Sequence, residues 1–430
     1  MAAGCILGLA LLRAAGGAAG ALAALAAVGA GLAVARLPVA GRPVEAWGPT
    51  VARFTAARLS EGRPPWRPPG RPARRGALSS LELGSLGGQG VVLDKRAGGL
   101  SVALRVGGDG FALADEEAQA AAIAAWAQVL SSLAARSEDL HRLQWILRTR
   151  PSGAEWLEEP SAGASLGAGY RALLASSRAE LSERETLLVL TARPHRQLAA
   201  GPGRRRGEEM VAEQLFSSAL ALGEQLRQRG VQASGPLSRE ELAVFIRRAY
   251  EEPGSASLGC WPFPLGVEEH WASLRTDASW QAVYWVAEWP RSDVGPAAFL
   301  PLLLGGAPRQ AVSLTLAPLP PAAASRRAER ERTSGQADAE LRRRHGFAVT
   351  ARSRAEQEVA FSREEELAAG HGAFLFSGYV AVSASDEEEL EVCCGSVEQA
   401  AALSRLELRR LYGCQEEAWT CSLPTGRGCR

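Results

Sequence analysis

Lysine is almost absent from this chain: Lys95 stands alone among 48 basic residues. A phosphate-binding P-loop needs a lysine behind a glycine-rich turn, because its ammonium must reach the β- and γ-phosphates. Lys95 sits in Leu93-Asp94-Lys95-Arg96, with no GxxxxG before it and no Ser or Thr behind it. A standard P-loop ATPase is thereby excluded, and Gly84, Gly87, Gly88 and Gly90 also miss the GxGxxG spacing. CxxC is missing too. The 7 cysteines (Cys5, Cys260, Cys393, Cys394, Cys414, Cys421 and Cys429) are an odd set, which argues against a disulfide scaffold or a zinc site. Cys393-Cys394 read as small buried residues at a strand end. The 5 histidines fall in neither HExxH nor the neighbourhood of a GxSxG serine. Glu268-Glu269-His270 reads as an exposed loop cluster rather than a supported general base. Charge of one sign is also lacking, since a net +1 gives no general attraction to nucleic acid. No catalytic residue, cofactor or metal is expected.

What the chain does have is 22 residues, Ala14–Ala35, without a charge. As a helix they reach roughly 33 Å, enough for a hydrocarbon core of about 30 Å. Leu22, Leu25, Val28, Leu32 and Val34 supply roughly 2 kcal/mol of insertion free energy. Gly16 and Gly20 form a GxxxG pair suited to close packing on a second membrane helix, with alanine-rich filler as the plain alternative. Ala2–Leu12 is too short to span alone and reads as the remnant of a first helix turning at Arg13. From Arg36 to Arg75 the chain is strongly basic, opposed only by Glu45 and Glu61. By the positive-inside rule this stretch holds the bulk of the chain on the cytoplasmic side of the cell (inner or plasma) membrane. A cleaved export signal is the rival, but its arginines would lie on the wrong side. The basic stretch also suits membrane lipids with anionic head groups.

Hydrophobic content of 47% and charged content of 22% are ordinary for a folded core. Four regions are expected: an anchor over 1–36, a Pro/Arg-rich extended linker over 37–76, and two α+β soluble domains over 77–255 and 256–430. In the first, strands are predicted at Gly90–Leu93, Leu100–Val106, Leu143–Leu147, Thr186–Thr191 and Val231–Ala233. Asp115–Arg136 is helical, with Ile123, Trp126, Val129, Leu130 and Leu133 on one face. Further helices are expected at about Gly167–Leu181 and Glu208–Arg229, the latter closed by Gly230. Ser238 and Glu241 make a capping box that opens a helix over Arg239–Glu251. In the second, strands are expected at Trp280–Trp289, Ala311–Ala317, Phe374–Ser383 and Leu406–Leu411. Helices intervene at Pro296–Leu304, Ala322–Arg344, Arg352–Ala369 and Glu387–Leu403. The fold class is α+β, a membrane helix followed by layered β-α-β sheets covered by helices. No repeat is visible at a period of roughly 20–50 residues.

Aromatic residues crowd one strand. Trp280, Tyr284 and Val286 share one face, while Val283, Trp285, Ala287 and Trp289 share the other, which predicts a strand covered on both sides or presented to a partner.

The order of these features resembles a family of membrane proteins encoded on actinobacterial conjugative elements. The resemblance rests on Gln228-Arg229-Gly230-Val231 running into Pro236–Leu242 and Ile246–Tyr250, on Trp271 with Asp277, and on Tyr284–Arg291 with Val294. It continues in Leu411-Tyr412-Gly413-Cys414-Gln415, Trp419 and Leu423-Pro424-Thr425-Gly426. An aromatic residue shortly before Leu-Pro-x-Gly is similar to the end of the N-terminal, non-motor region of type IV secretion ATPases. The resemblance implies a non-enzymatic, membrane-anchored docking component of a conjugative, type IV-like transfer apparatus. Its partners would be a secretion or conjugation ATPase supplied in trans and other apparatus subunits. Trp280, Tyr284, Trp285 and Trp289, with Trp419, Leu423, Pro424 and Gly426, are the expected docking residues. The alternatives are a type VII secretion core component of the EccE kind and a membrane-tethered hydrolase or transferase, the last requiring converging His and acidic groups.

Overall fold

The computed structural model describes residues 38–39, 41–61, 76–108, 110–135, 140–151, 182–193, 204–251, 262–277, 279–290, 292, 294–344, 359, 361–363, 365–367 and 369–428. The anchor over 1–36, with Gly16 and Gly20, and the helix expected at 167–181 lie outside them.

A short hairpin, β1 (Pro38–Val39) and β2 (Arg42–Pro43), leads into helix α1 (Val44–Glu61). A helix over Val44–Glu61 corrects the expectation of an extended chain in this part of the 37–76 linker, whose Pro-rich stretch 62–75 lies outside the described residues. Its cause is tertiary. Trp47 and Phe54, two turns apart on one face, pack against Trp271 with ring centroids 5.7 and 5.3 Å away, and Trp47 also meets Tyr412 at 5.7 Å.

The rest of the first half runs β3 (Leu81–Leu86), β4 (Gln89–Asp94), β5 (Gly99–Gly107), α2 (Glu116–Ala135), β6 (Arg142–Pro151), β7 (Ser182–Ala192), α3 (Arg204–Arg227), β8 (Gln232–Pro236) and α4 (Arg239–Arg247). The second half repeats this order with one further helix, α6, inserted: β9 (Val267–Glu269), β10 (Leu274–Thr276), β11 (Trp280–Glu288), α5 (Leu300–Gly305), β12 (Gln310–Leu319), α6 (Pro321–Arg344), β13 (Ala373–Ala384), α7 (Glu387–Leu403), β14 (Glu407–Arg410) and α8 (Gln415–Trp419). The sheet has 12 strands, ordered β3-β4-β5-β7-β6-β12-β13-β11-β10-β9, with β8 on β5 and β14 on β11. Read from either end, the order is the same. Each half is a ferredoxin-like β-α-β-β-α-β unit preceded by a hairpin. The two join through antiparallel pairing of β6 with β12, Ser313 opposite Ile146. The two soluble regions expected on either side of residue 255 are thus one continuous sheet.

Matching details confirm the repeat. A register shift interrupts β8 on β5 between Leu104 and Val106, and β14 on β11 between Val286 and Glu288. Both second helices end in a Schellman turn. Val231 N–H donates to Leu226 O and Leu406 N–H to Ala401 O, with Gly230 (φ 81°) and Arg405 (φ 56°) in the left-handed conformation.

Three apolar clusters hold the sheet. On one face α2 and α3 cover the first half through Val129, Leu133, Leu215 and Leu222. On the same face α5 and α7 cover the second through Leu302, Leu390, Cys393 and Cys394; the vicinal cysteines thus lie on a helix and not at a strand end. The opposite face carries one cluster drawn from both halves, including Ile146, Val189, Val283 and Ala381, with Phe245 of α4 and Trp419 of α8. Leu81 and Leu83 of β3 line a pocket of about 270 Å³ with Val267 of β9, so the sheet curls until its two ends approach.

Among the described residues α2 is the helix long and apolar enough to cross a membrane. It lies on the sheet with Val129, Leu133 and Ala134 buried, while Ile123, expected on the same face, is 50% exposed.

Candidate functional site

The segment after α8 crosses the join between the halves. Gln144 of β6, fully buried, accepts the Gly426 N–H at 2.8 Å, and its amide nitrogen lies 2.8 Å from Cys421 O, 3.0 Å from Leu423 O and 2.9 Å from Ser313 Oγ of β12. Arg142 donates to Gly426 O, Thr315 Oγ1 to Arg427 O and Tyr379 Oη to Gly428 O, each at 2.8 Å. Strands from both halves therefore bind one strap. Gly426 has φ 64°, and a Cβ there would stand 2.0 Å from Thr191 Oγ1. Only glycine fits.

Arg427 locks the strap to β4. Its guanidinium makes two bonds to Asp94, Nε to Oδ2 at 2.6 Å and Nη2 to Oδ1 at 2.9 Å. Burial alone would raise the Asp94 carboxyl, but the Arg427 guanidinium and the Ala97 and Arg96 N–H groups hold it below its ordinary range.

Beside the strap opens a cleft of about 590 Å³. Arg96, Arg142 and Arg193 line one side, Trp285, Ser377 and Tyr379 the other, and Cys414, Glu417 and Cys421 the α8 rim. Glu417 reaches Arg53 of α1 at 3.5 Å and Arg96 at 4.0 Å, so α1 is fastened at this rim. Burial and the Arg193 and Arg142 charges push neighbouring His141 down to about 4. Burial raises the Cys421 thiol to about 12, which keeps it protonated at neutral pH.

The structure spends much of the expected docking set internally. Tyr284 and Trp419 are about 1% exposed, Leu423 is fully buried, and Pro424 and Gly426 are buried in the strap. This corrects the reading of those five as a free surface: the chain's own core already covers them. Trp280, Trp285 and Trp289 are half-buried. Trp289 lies on the α7 side with Phe299 and Phe376, not on the face of Trp285. The bulge after Val286 adds a residue and reverses the alternation. Trp280 meets the His270 ring at a 38° tilt with centroids 5.1 Å apart, and Trp285 donates Nε1–H to Ser377 Oγ at 3.2 Å.

Among the described residues, no three His, Cys, Asp or Glu side chains converge as metal ligands. His141, His270 and His371 stand at three separate strand ends; His195 and His345 lie outside the described residues. Sequence reading missed Arg142, Arg193, Asp94 and Arg427, because isolated arginines and an aspartate carry no spacing signal.

No curated protein matches this chain. Residues 181–286, about a quarter of its length, match the family model described as "Putative type VII ESX secretion system translocon, EccE". The matched stretch runs from β7 through α3, β8 and α4 to β11 and spans the passage from one half to the other. It supports a secretion-system component, on the side of the EccE alternative and not of conjugative elements in particular.

Proposed function

We propose that this protein is a non-enzymatic component of a type VII secretion apparatus, of the EccE kind. In this reading its N-terminal apolar stretch holds it at the cell membrane, and the twin sheet works on the cytoplasmic side by contact. The single observation that carries the reading is the EccE match over 181–286. The clamped helix α1 adds support, because it joins the basic juxtamembrane stretch to the rim at Trp271, Tyr412 and Glu417 through rings and an ion pair. A tether ending in a docked helix fixes orientation as well as distance. The partners in this reading are a secretion ATPase acting in trans, other apparatus subunits, and anionic lipids along the basic stretch.

The test is affinity capture of the tagged full chain from detergent-solubilised membranes, followed by mass spectrometry. Recovery of type VII core subunits with their ATPase is the expected outcome. Recovery of a conjugation ATPase and coupling protein would move the assignment to the transfer apparatus that the Leu423–Gly426 resemblance favours. Full-length product in the soluble fraction after lysis would overturn the membrane-held reading.

A further inference from the structure

The lining of the cleft beside the strap is net positive, with Arg96, Arg142, Arg193 and Arg427 against Asp94 and Glu417. Arg427 and Asp94 cancel in their two-bond pair, and Glu417 is shared between Arg53 and Arg96. Arg142 at the start of β6 and Arg193 just past β7 face the same space from adjacent strands. Partial burial and the charge of Arg142 lower the pKa of Arg193 against the opposing pull of Asp94, and the same two arginines act on His141. Two guanidinium groups lining one cleft mark a place of positive potential that attracts an anion. Across the cleft Trp285 and Tyr379 offer aromatic surface, their polar tips already engaged with Ser377 and Gly428. The volume of about 590 Å³ falls within the range of small-molecule sites, about 300–1,000 Å³.

We propose that this cleft binds a phosphate-bearing small anion, its phosphate between Arg142 and Arg193 and its organic part against Trp285 and Tyr379. Guanidinium forks match phosphate oxygens geometrically, and aromatic faces accept a planar or apolar group. No P-loop is needed for this binding, because no phosphoryl group is transferred. The phosphate could belong to a soluble nucleotide or to a lipid head group.

The experiment is calorimetric titration of ADP into the full chain held in nanodiscs of phosphatidylcholine, repeated in discs of phosphatidylglycerol. Saturable one-to-one binding in the neutral discs, weakened at least about 10-fold by Arg193→Glu, is the expected result. Equal affinity in both discs assigns the site to soluble phosphates. Neutral-disc binding that is lost in the anionic discs assigns it to the lipid head group. Arg193 is exposed and stands outside the strap's hydrogen bonds, so its variant should unfold at the wild-type temperature. Trp285→Leu should weaken ADP but leave pyrophosphate unchanged. Absence of saturable ADP binding in neutral discs, or an unchanged affinity in Arg193→Glu, overturns the proposal.

Discussion

The first half of the sheet is covered by two long helices, α2 and α3, of 20 and 24 residues, whereas α5 and α7 of the second half have 6 and 17. The topology is the same, but the cover is not. Helix α2 is long enough to pass the join and lie on β12 and β13. There Leu316, Leu314 and Phe374 of the second half enter the first half's cluster. Gly372 faces Ala134 so closely that a Cβ would stand 2.2 Å away. The other face is asymmetric in a complementary way. Helix α4 ends the first half, whereas after the five-residue α8 the chain continues as the strap that binds both. One half thus lends its helix to the other and receives a strap in return, and neither buries its apolar surface alone.

The largest expected effect tests that shared face. Trp419, which packs edge-on to Tyr250 of the first half at 6.3 Å, should cost about 3–5 kcal/mol when changed to Ala. Urea denaturation of the detergent-solubilised protein should show one transition shifted as a whole. Two separate transitions would break the claim that the halves share a core.

Asp94→Asn should cost about 3 kcal/mol by leaving Arg427 without its carboxylate. Its pH dependence sharpens the comparison. Because the folded carboxyl is depressed, its stabilisation is present above the unfolded value of about 3.9 and fades as pH falls through the lower folded one. The wild type should therefore lose stability in that acid window, and the variant should lose less. Denaturation curves between pH 6 and the lowest soluble pH, each about one unit apart, decide it.

The equivalent caps differ. Ser238 accepts the Glu241 N–H while Glu241 reaches back to the Ser238 N–H, so Ser238→Ala should cost about 1 kcal/mol. Cys414, at the start of α8, makes no such bond, and Cys414→Ala should stay within about 0.5 kcal/mol. Equal losses would show that the cap is not what separates the two helix starts.

The smallest effects come from the paired Schellman turns. Gly230→Ala places a Cβ at φ 81° and should cost about 1 kcal/mol, whereas Arg405→Gly removes one at φ 56° and should gain about 0.5 kcal/mol. Thermal unfolding should move in opposite directions. A shift in the same direction would end the equivalence of the two positions.

Much of the fold was legible from pattern. The capping box at Ser238, the turn at Gly230 and the alternation of Phe374–Ser383 each carry their own local signal. The helix expected at Glu387–Leu403 is α7, opened by Asp386 accepting the Glu389 N–H at 2.8 Å. Helix α1 was not legible, because its reason is a ring cluster with Trp271 and Tyr412, more than 200 residues away. The short strands β9 and β10 carry too few residues for alternation to show. The repeat also escaped, since its period is far longer than a solenoid's.

By itself the sequence determined most of the long helices and strands, together with the lack of P-loop and metal chemistry motifs, because spacing along a chain is a local property. Only the tertiary structure decided that two halves join edge to edge, that Leu423–Gly426 is an internal strap rather than a surface, and that Arg142 and Arg193 face one cleft. Those facts depend on strand order, and a strand's neighbours are set by which apolar faces must be buried together, not by its own residues.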